Sequence, residues 1–126
     1  MTKFDLATCV ALAKALSDEN RLRILMALRG RELCICQLIA MLKLAPSTVS
    51  KHISLLKQAG LVDSRKQGRW IYIRLSEAEA SPVAAQALCW AADCLEHDKR
   101  IEGDERALAR LLRMTVEELC RVRVAC

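Results

Sequence analysis

Two cysteines separated by one residue, Cys34-Ile35-Cys36, are the pair whose type and spacing could do chemistry in this chain. Thiolate sulfur is a soft donor that suits thiophilic centres, zinc and cadmium among them. A short helix is expected from about Ile35 to Leu42. It would place the pair at a helix N-terminus, where the dipole favours the anionic thiolate and lowers its pKa. Residues two apart on a regular helix point about 200° apart. Both sulfurs can therefore hold one atom only if the first turn is distorted, and the helix that follows would feel that distortion. Five further cysteines, Cys9, Cys89, Cys94, Cys120 and Cys126, are present. For each of them the ordinary role of a small buried hydrophobe competes with ligation, and Cys9, inside an apolar helix, is expected to be packed.

The stretch that the thiol pair would act on runs from Ala45 to Gly60. Pro46 opens a helix, its missing N–H falling where donors are unpaired anyway, and Gly60 closes it in a left-handed turn. Val49, Ile53 and Leu56 recur at helical spacing and form one apolar face. The other face carries Ser47, Ser50, Lys51, Ser54 and Gln58. Short and cationic side chains of this kind suit the floor of a DNA major groove; the alternative is an ordinary solvated helix face. Upstream, helices are expected from Phe4 to Leu16 and, after an N-cap at Ser17, from Asp18 to Arg29, ended by Gly30. The run of helix, short turn and polar-faced helix is a helix-turn-helix. After Gly60 the period becomes two. Residues 61–67 and 69–75 predict a hairpin about Gln67-Gly68 with Arg65, Lys66 and Arg69 near its tip, which makes it a wing able to lie along phosphates. Ser81-Pro82 start a long alanine-rich helix expected to reach Lys99. Like the first helix it is apolar around much of its circumference, and the two are expected to form a homodimer interface. Residues 1–103 then make the DNA-binding and dimerisation domain. Residues 104–126, with a capping box from Thr115 to Glu118, make a C-terminal helical tail.

Composition bounds the reading. A chain of 126 residues with 53% hydrophobic residues is one folded domain rather than a disordered segment. No apolar run is long enough for a bilayer, and the first residues lack the features of a secretory signal; a cytoplasmic protein with no membrane partner is expected. Seven cysteines, an odd number, argue against a disulfide scaffold. The net charge of +5 favours an anionic partner, nucleic acid first. No Cys-x-x-Cys stands beside a βαβ pattern, so neither an enzyme nor a catalytic cofactor is expected.

Four motifs in order, Ala15-Leu-Ser-Asp-Glu-Asn-Arg-Leu-Arg-Ile-Leu25, Glu32-Leu-Cys-Ile-Cys-Gln-Leu38, Ser47 to Leu61, and Gly68-Arg-Trp-Ile-Tyr72, resemble the ArsR/SmtB family. These are dimeric winged-helix repressors that leave DNA when they bind a metal or metalloid. The likeness covers roughly Phe4 to Lys99. It implies a mainly α winged helix-turn-helix fold that binds double-stranded operator DNA. Ser47, Ser50 and Lys51 would enter the major groove, Thr48 would lie near the backbone, and Ser54, Lys57, Arg65, Lys66 and Arg69 would lie towards DNA. His52 matches a frequent family histidine, expected to hydrogen-bond locally rather than touch a base. Ala45 departs from the family's common N-cap serine.

In arsenic-responsive members, the stretch that Glu32–Leu38 resembles holds trivalent arsenic or antimony at the start of the third helix. The likeness thus implies As(III) or Sb(III) as inducer at Cys34 and Cys36. Such members can carry another cysteine next, where this chain has Gln37. A third thiolate is expected from Cys120 or Cys126, less so from Cys89 or Cys94, or from an exogenous thiol. Alternatives are a zinc- or cadmium-responsive or a thiol-redox-responsive repressor. The family's zinc site on the last helix pairs Asp and His at wide spacing, and Asp93, His97 and Asp98 lack a second suitable histidine. Cadmium sensing would want extra cysteines in an N-terminal arm longer than this one.

Overall fold

The computed structural model describes residues 4–115 and Glu118. Among the described residues, six helices and a three-stranded antiparallel sheet follow in the order α1 (Leu6–Leu16), α2 (Glu19–Ala27), β1 (Leu33–Cys34), α3 (Ile35–Leu42), α4 (Pro46–Gln58), β2 (Val62–Gln67), β3 (Trp70–Leu75), α5 (Pro82–Cys94) and α6 (Lys99–Leu111). This is the mainly helical, winged helix-turn-helix architecture expected.

Local chemistry explains most boundaries. Asp5 caps α1 by accepting from Thr8 N–H at 2.9 Å, and Asp18 caps α2 by accepting from Arg21 N–H at 3.1 Å. Ser17, expected to start α2, instead ends α1: its hydroxyl and its N–H both donate to the Lys14 carbonyl. The carboxylate one residue later is the stronger acceptor for the N-terminus of α2. At the end of α4 the Gly60 N–H donates to Lys57 O and the Leu61 N–H to Leu56 O, each at 3.0 Å, with Gly60 at φ +77°. This pair of hydrogen bonds is a Schellman close, and the positive φ is what selects glycine.

The core lies between α2, α3, α4 and the inner face of the sheet. Ile24, Leu25, Leu28, Leu33, Leu38, Val49, Leu56, Leu61 and Ile73 are fully buried there. The strand order is β1-β3-β2, so β3 is the central strand. Cys34 pairs with Tyr72 across β1 and β3, and Tyr72 pairs with Arg65 across β3 and β2.

The C-terminal half differs from expectation. The long helix ends at Cys94 instead of Lys99, and α6 starts after Asp98, whose carboxylate accepts from Arg100 N–H at 2.9 Å and Ile101 N–H at 3.1 Å. Gly103, the expected domain boundary, lies inside α6, which packs on α2 and α3. Ile101, Asp104 and Leu108 are buried there. Arg23 Nε and Nη2 donate to the two Asp104 carboxylate oxygens at 2.9 and 2.8 Å, both side chains being under a tenth exposed. Past α6, the Glu118 N–H donates to Thr115 Oγ1 at 3.1 Å, one half of the expected capping box.

Candidate nucleic-acid interface and thiol site

Helix α4 presents the two faces that its sequence demands. Val49, Ile53 and Leu56 are buried, while Ser47, Thr48, Ser50, Lys51, Ser54 and Lys57 are exposed. Ala45 stands at the N-cap without a side-chain bond and Pro46 occupies the first turn. The turn before it passes through Lys43 at φ +57°, a left-handed residue that is not glycine.

His52 lies between the two faces. Its Nδ1 is 3.2 Å from Arg21 Nη1 and 3.9 Å from Asp18 Oδ2. Arg21 also donates from Nε to Ala15 O and from Nη2 to Lys14 O, at 2.9 and 2.8 Å. The histidine thus bonds within the chain, and Arg21 joins the end of α1 to the recognition helix.

The wing tip is basic and organised. Lys66 and Arg69 are exposed, and the Arg69 guanidinium lies 4.6 Å from the Trp70 ring centroid. Lys57 Nζ donates to Ser64 Oγ at 2.9 Å, tying α4 to β2. Arg65 is exposed but paired with Glu32, which draws its carboxyl below the ordinary glutamate range. That partner escaped the sequence reading, since nothing in local spacing joins positions 32 and 65.

The thiol pair sits where the sheet meets the helix-turn-helix. Cys34 is fully buried, ends β1 and is the N-cap of α3, with extended backbone at φ −69° and ψ 145°. It lies outside the helix, so regular helical geometry does not fix its angle to Cys36, and the expected distortion of the first turn is unnecessary on that ground. Cys36, 8% exposed, is disulfide-bonded. Gln37, the departure from a third adjacent cysteine, has its own function: its Oε1 accepts from the Cys34 N–H at 2.8 Å, capping the start of α3. Cys89 and Cys94 are free and exposed on α5. Cys9 is exposed rather than packed, because α1 turns only Leu12 and Ala15 fully into this chain. Cys120 and Cys126 lie outside the described residues. No cluster of three or more His, Cys, Asp or Glu side chains that could hold a metal occurs among the described residues.

A recognition helix with an exposed polar face beside a basic hairpin defines a winged helix-turn-helix DNA-binding protein. The family pattern described as bacterial regulatory protein, arsR family, matches residues 18–64. The chain is 35% identical over 105 residues to the arsenical resistance operon repressor of Escherichia coli (strain K12), covering 82% of this chain and 83% of that one. It is 40% identical over 73 residues to the cadmium resistance transcriptional regulatory protein CadC of Listeria innocua, covering 57% of this chain and 61% of that one. A homodimeric winged helix-turn-helix DNA-binding domain from Mycobacterium bovis, solved by NMR, superposes with a TM-score of 0.59 at 28% identity, covering 75% of this chain and 87% of that one. The chain belongs to the ArsR family of DNA-binding transcriptional regulators, which are not enzymes. No helix among the described residues is long and apolar enough to cross a membrane.

Proposed function

We propose that the chain is a cytoplasmic homodimer that represses a metalloid-resistance operon and leaves its operator when As(III) or Sb(III) binds thiolates of Cys34 and Cys36. The observation that carries this reading is the position of Cys34, wholly buried at the junction of wing sheet and helix-turn-helix. A ligand can reach that sulfur only in a conformation where the β1–α3 junction has opened. Ligand binding therefore selects a state in which α3, and with it the turn that aims α4, is displaced. Coupling of this kind is typically about 1–3 kcal/mol, or roughly 5–150-fold in DNA affinity. The likeness to an arsenical resistance repressor supports the choice of inducer. Cys36 must first be reduced to act as a ligand. Cys120 or Cys126, then Cys89 or Cys94, are the candidates for a third sulfur.

On DNA, Ser47, Ser50 and Lys51 read the major groove and Thr48 lies near the backbone. Ser54 lies on the same outer face of α4, and Lys57, Arg65, Lys66 and Arg69 face the phosphates. Two copies place their recognition helices in half-sites about one helical turn or more apart. The dimer forms through α1 and α5, which leave Leu6 at 81% and Trp90 at 61% exposure in one copy; the homodimeric relative supports a dimer.

A second reading, a thiol-redox-responsive repressor, is favoured by the disulfide at Cys36. One experiment separates the two. DNA affinity is measured by fluorescence anisotropy on a duplex from the chain's own promoter region, under reducing conditions, with and without arsenite. Release of the wild type but not of a Cys34→Ser, Cys36→Ser double variant supports the metalloid reading. Release of neither, with loss of affinity on oxidation instead, replaces it with the redox one; release by cadmium or zinc alone would change the inducer. Ser50→Ala with Lys51→Ala is expected to abolish operator binding and leave the dimer intact.

A further inference from the structure

Arg65 is held from three directions. Nε and Nη2 donate to the Glu32 carboxylate at 2.8 and 2.5 Å, Nη1 donates to Gln67 Oε1 at 2.6 Å, and the guanidinium lies 4.7 Å from the Tyr72 ring centroid. Its side chain is nevertheless 49% exposed. An exposed ion pair contributes little to folding, so the folded core does not require so many contacts on one solvent-facing cation. A guanidinium carries five N–H donors. The three contacts above leave one N–H on each terminal nitrogen.

We propose that Glu32 is a positioning residue for DNA binding: it orders Arg65 so that the wing meets a phosphate with a guanidinium already fixed. A long cationic side chain loses conformational freedom when a phosphate captures it, and one ordered beforehand loses less. The carboxylate satisfies one edge of the guanidinium, Gln67 steadies Nη1, and the tyrosine ring supports its face. Glu32 reaches Arg65 from outside the hairpin, from the residue before β1. It therefore also links the segment leading to Cys34 with the wing. The proposal concerns DNA binding without inducer and stands apart from the choice of inducer.

The test uses the full chain, reduced and without arsenite, on a labelled duplex from its own promoter region, with dissociation constants measured across a salt series. Arg65→Gln is expected to weaken binding and to lower the slope of log affinity against log salt by about 0.9, one phosphate contact. Glu32→Gln is expected to weaken binding about three- to tenfold when Arg65 is present, and not to weaken it in the Arg65→Gln background. Glu32→Asp, which keeps the charge but shortens the reach, should weaken binding like Glu32→Gln. The exchange Glu32→Arg with Arg65→Glu restores an ion pair of the opposite sense and should not restore affinity.

Several results would overturn the proposal. Tighter binding of Glu32→Gln with and without Arg65 would make Glu32 merely a repelling charge. Tighter binding only with Arg65 present would mean that Glu32 withholds the arginine from DNA. Full affinity in the exchanged pair would leave a structural role alone, and an unaffected Arg65→Gln would remove the contact altogether. Thermal midpoints recorded for each variant separate these outcomes from misfolding.

Discussion

Removing the Asp104 carboxylate should destabilise this protein more than its place near the C-terminus suggests. Arg23 and Asp104 meet through two charge-assisted hydrogen bonds, both side chains being nearly inaccessible to water. The carboxylate holds the guanidinium even more firmly protonated than an ordinary arginine, so Arg23 cannot escape by losing its proton. After Asp104→Ala it would stay buried and charged, with Asn20 Oδ1, 3.0 Å from Nη1, as its remaining side-chain acceptor. Breaking one side of a buried pair costs about 3–5 kcal/mol, a large share of the roughly 5–15 kcal/mol that typically holds a domain together. With an unfolding entropy of about 2.1 cal/mol/K per residue, that corresponds to a fall of roughly 10–20 °C in the thermal midpoint. Urea unfolding followed by far-ultraviolet circular dichroism, at one fixed protein concentration, measures it. The double replacement Arg23→Met with Asp104→Leu should recover most of the loss, since an apolar pair of similar volume is often neutral. A loss under about 1 kcal/mol for Asp104→Ala, or no recovery in the double replacement, would refute the reasoning.

Three smaller perturbations test other parts. Ala45→Ser supplies the missing N-cap acceptor to α4 and should stabilise the protein by about 1 kcal/mol in the same urea assay. Lys43→Val places a β-branched residue at φ +57° and should cost roughly 1–2 kcal/mol, while Lys43→Gly should cost little. The Glu32 carboxyl is held below its ordinary range by the hydrogen bonds from Arg65. Its contact is therefore fully formed above the ordinary glutamate range and lost as pH falls through the depressed value. Carbon-13 NMR titration should find that depression in the wild type and its disappearance in Arg65→Gln.

The helix-turn-helix and the wing were legible because their signals are local. Pro46, Gly60 and Gly68 punctuate the chain, and the change from helical to alternating spacing after Gly60 marks the hairpin. The face of α4 follows from Val49, Ile53 and Leu56 alone. What escaped was set by distance or brevity. Strand β1 is two residues long and exists because β3 offers it an edge. Arg23 and Asp104 lie 81 positions apart. Asp98 caps α6, but an aspartate beside Asp93 and His97 has the same local signature as a metal ligand. The exposure of Cys9 was hidden for another reason: an apolar helix does not show in its sequence which of its apolar residues its own chain covers.

The short strand β1 has a consequence for solubility. In the sheet order β1-β3-β2, its two residues occupy the outer edge of β3 opposite Tyr72 and Ile73. Any event that pulls Cys34 away to make its sulfur accessible also strips that edge, leaving unpaired backbone donors and acceptors next to a buried isoleucine. An uncovered strand edge is a template for pairing with another chain. A chain with this junction opened would thus be the more adhesive one, prone to strand exchange and early proteolysis. The closed junction covers that edge as well as burying Cys34.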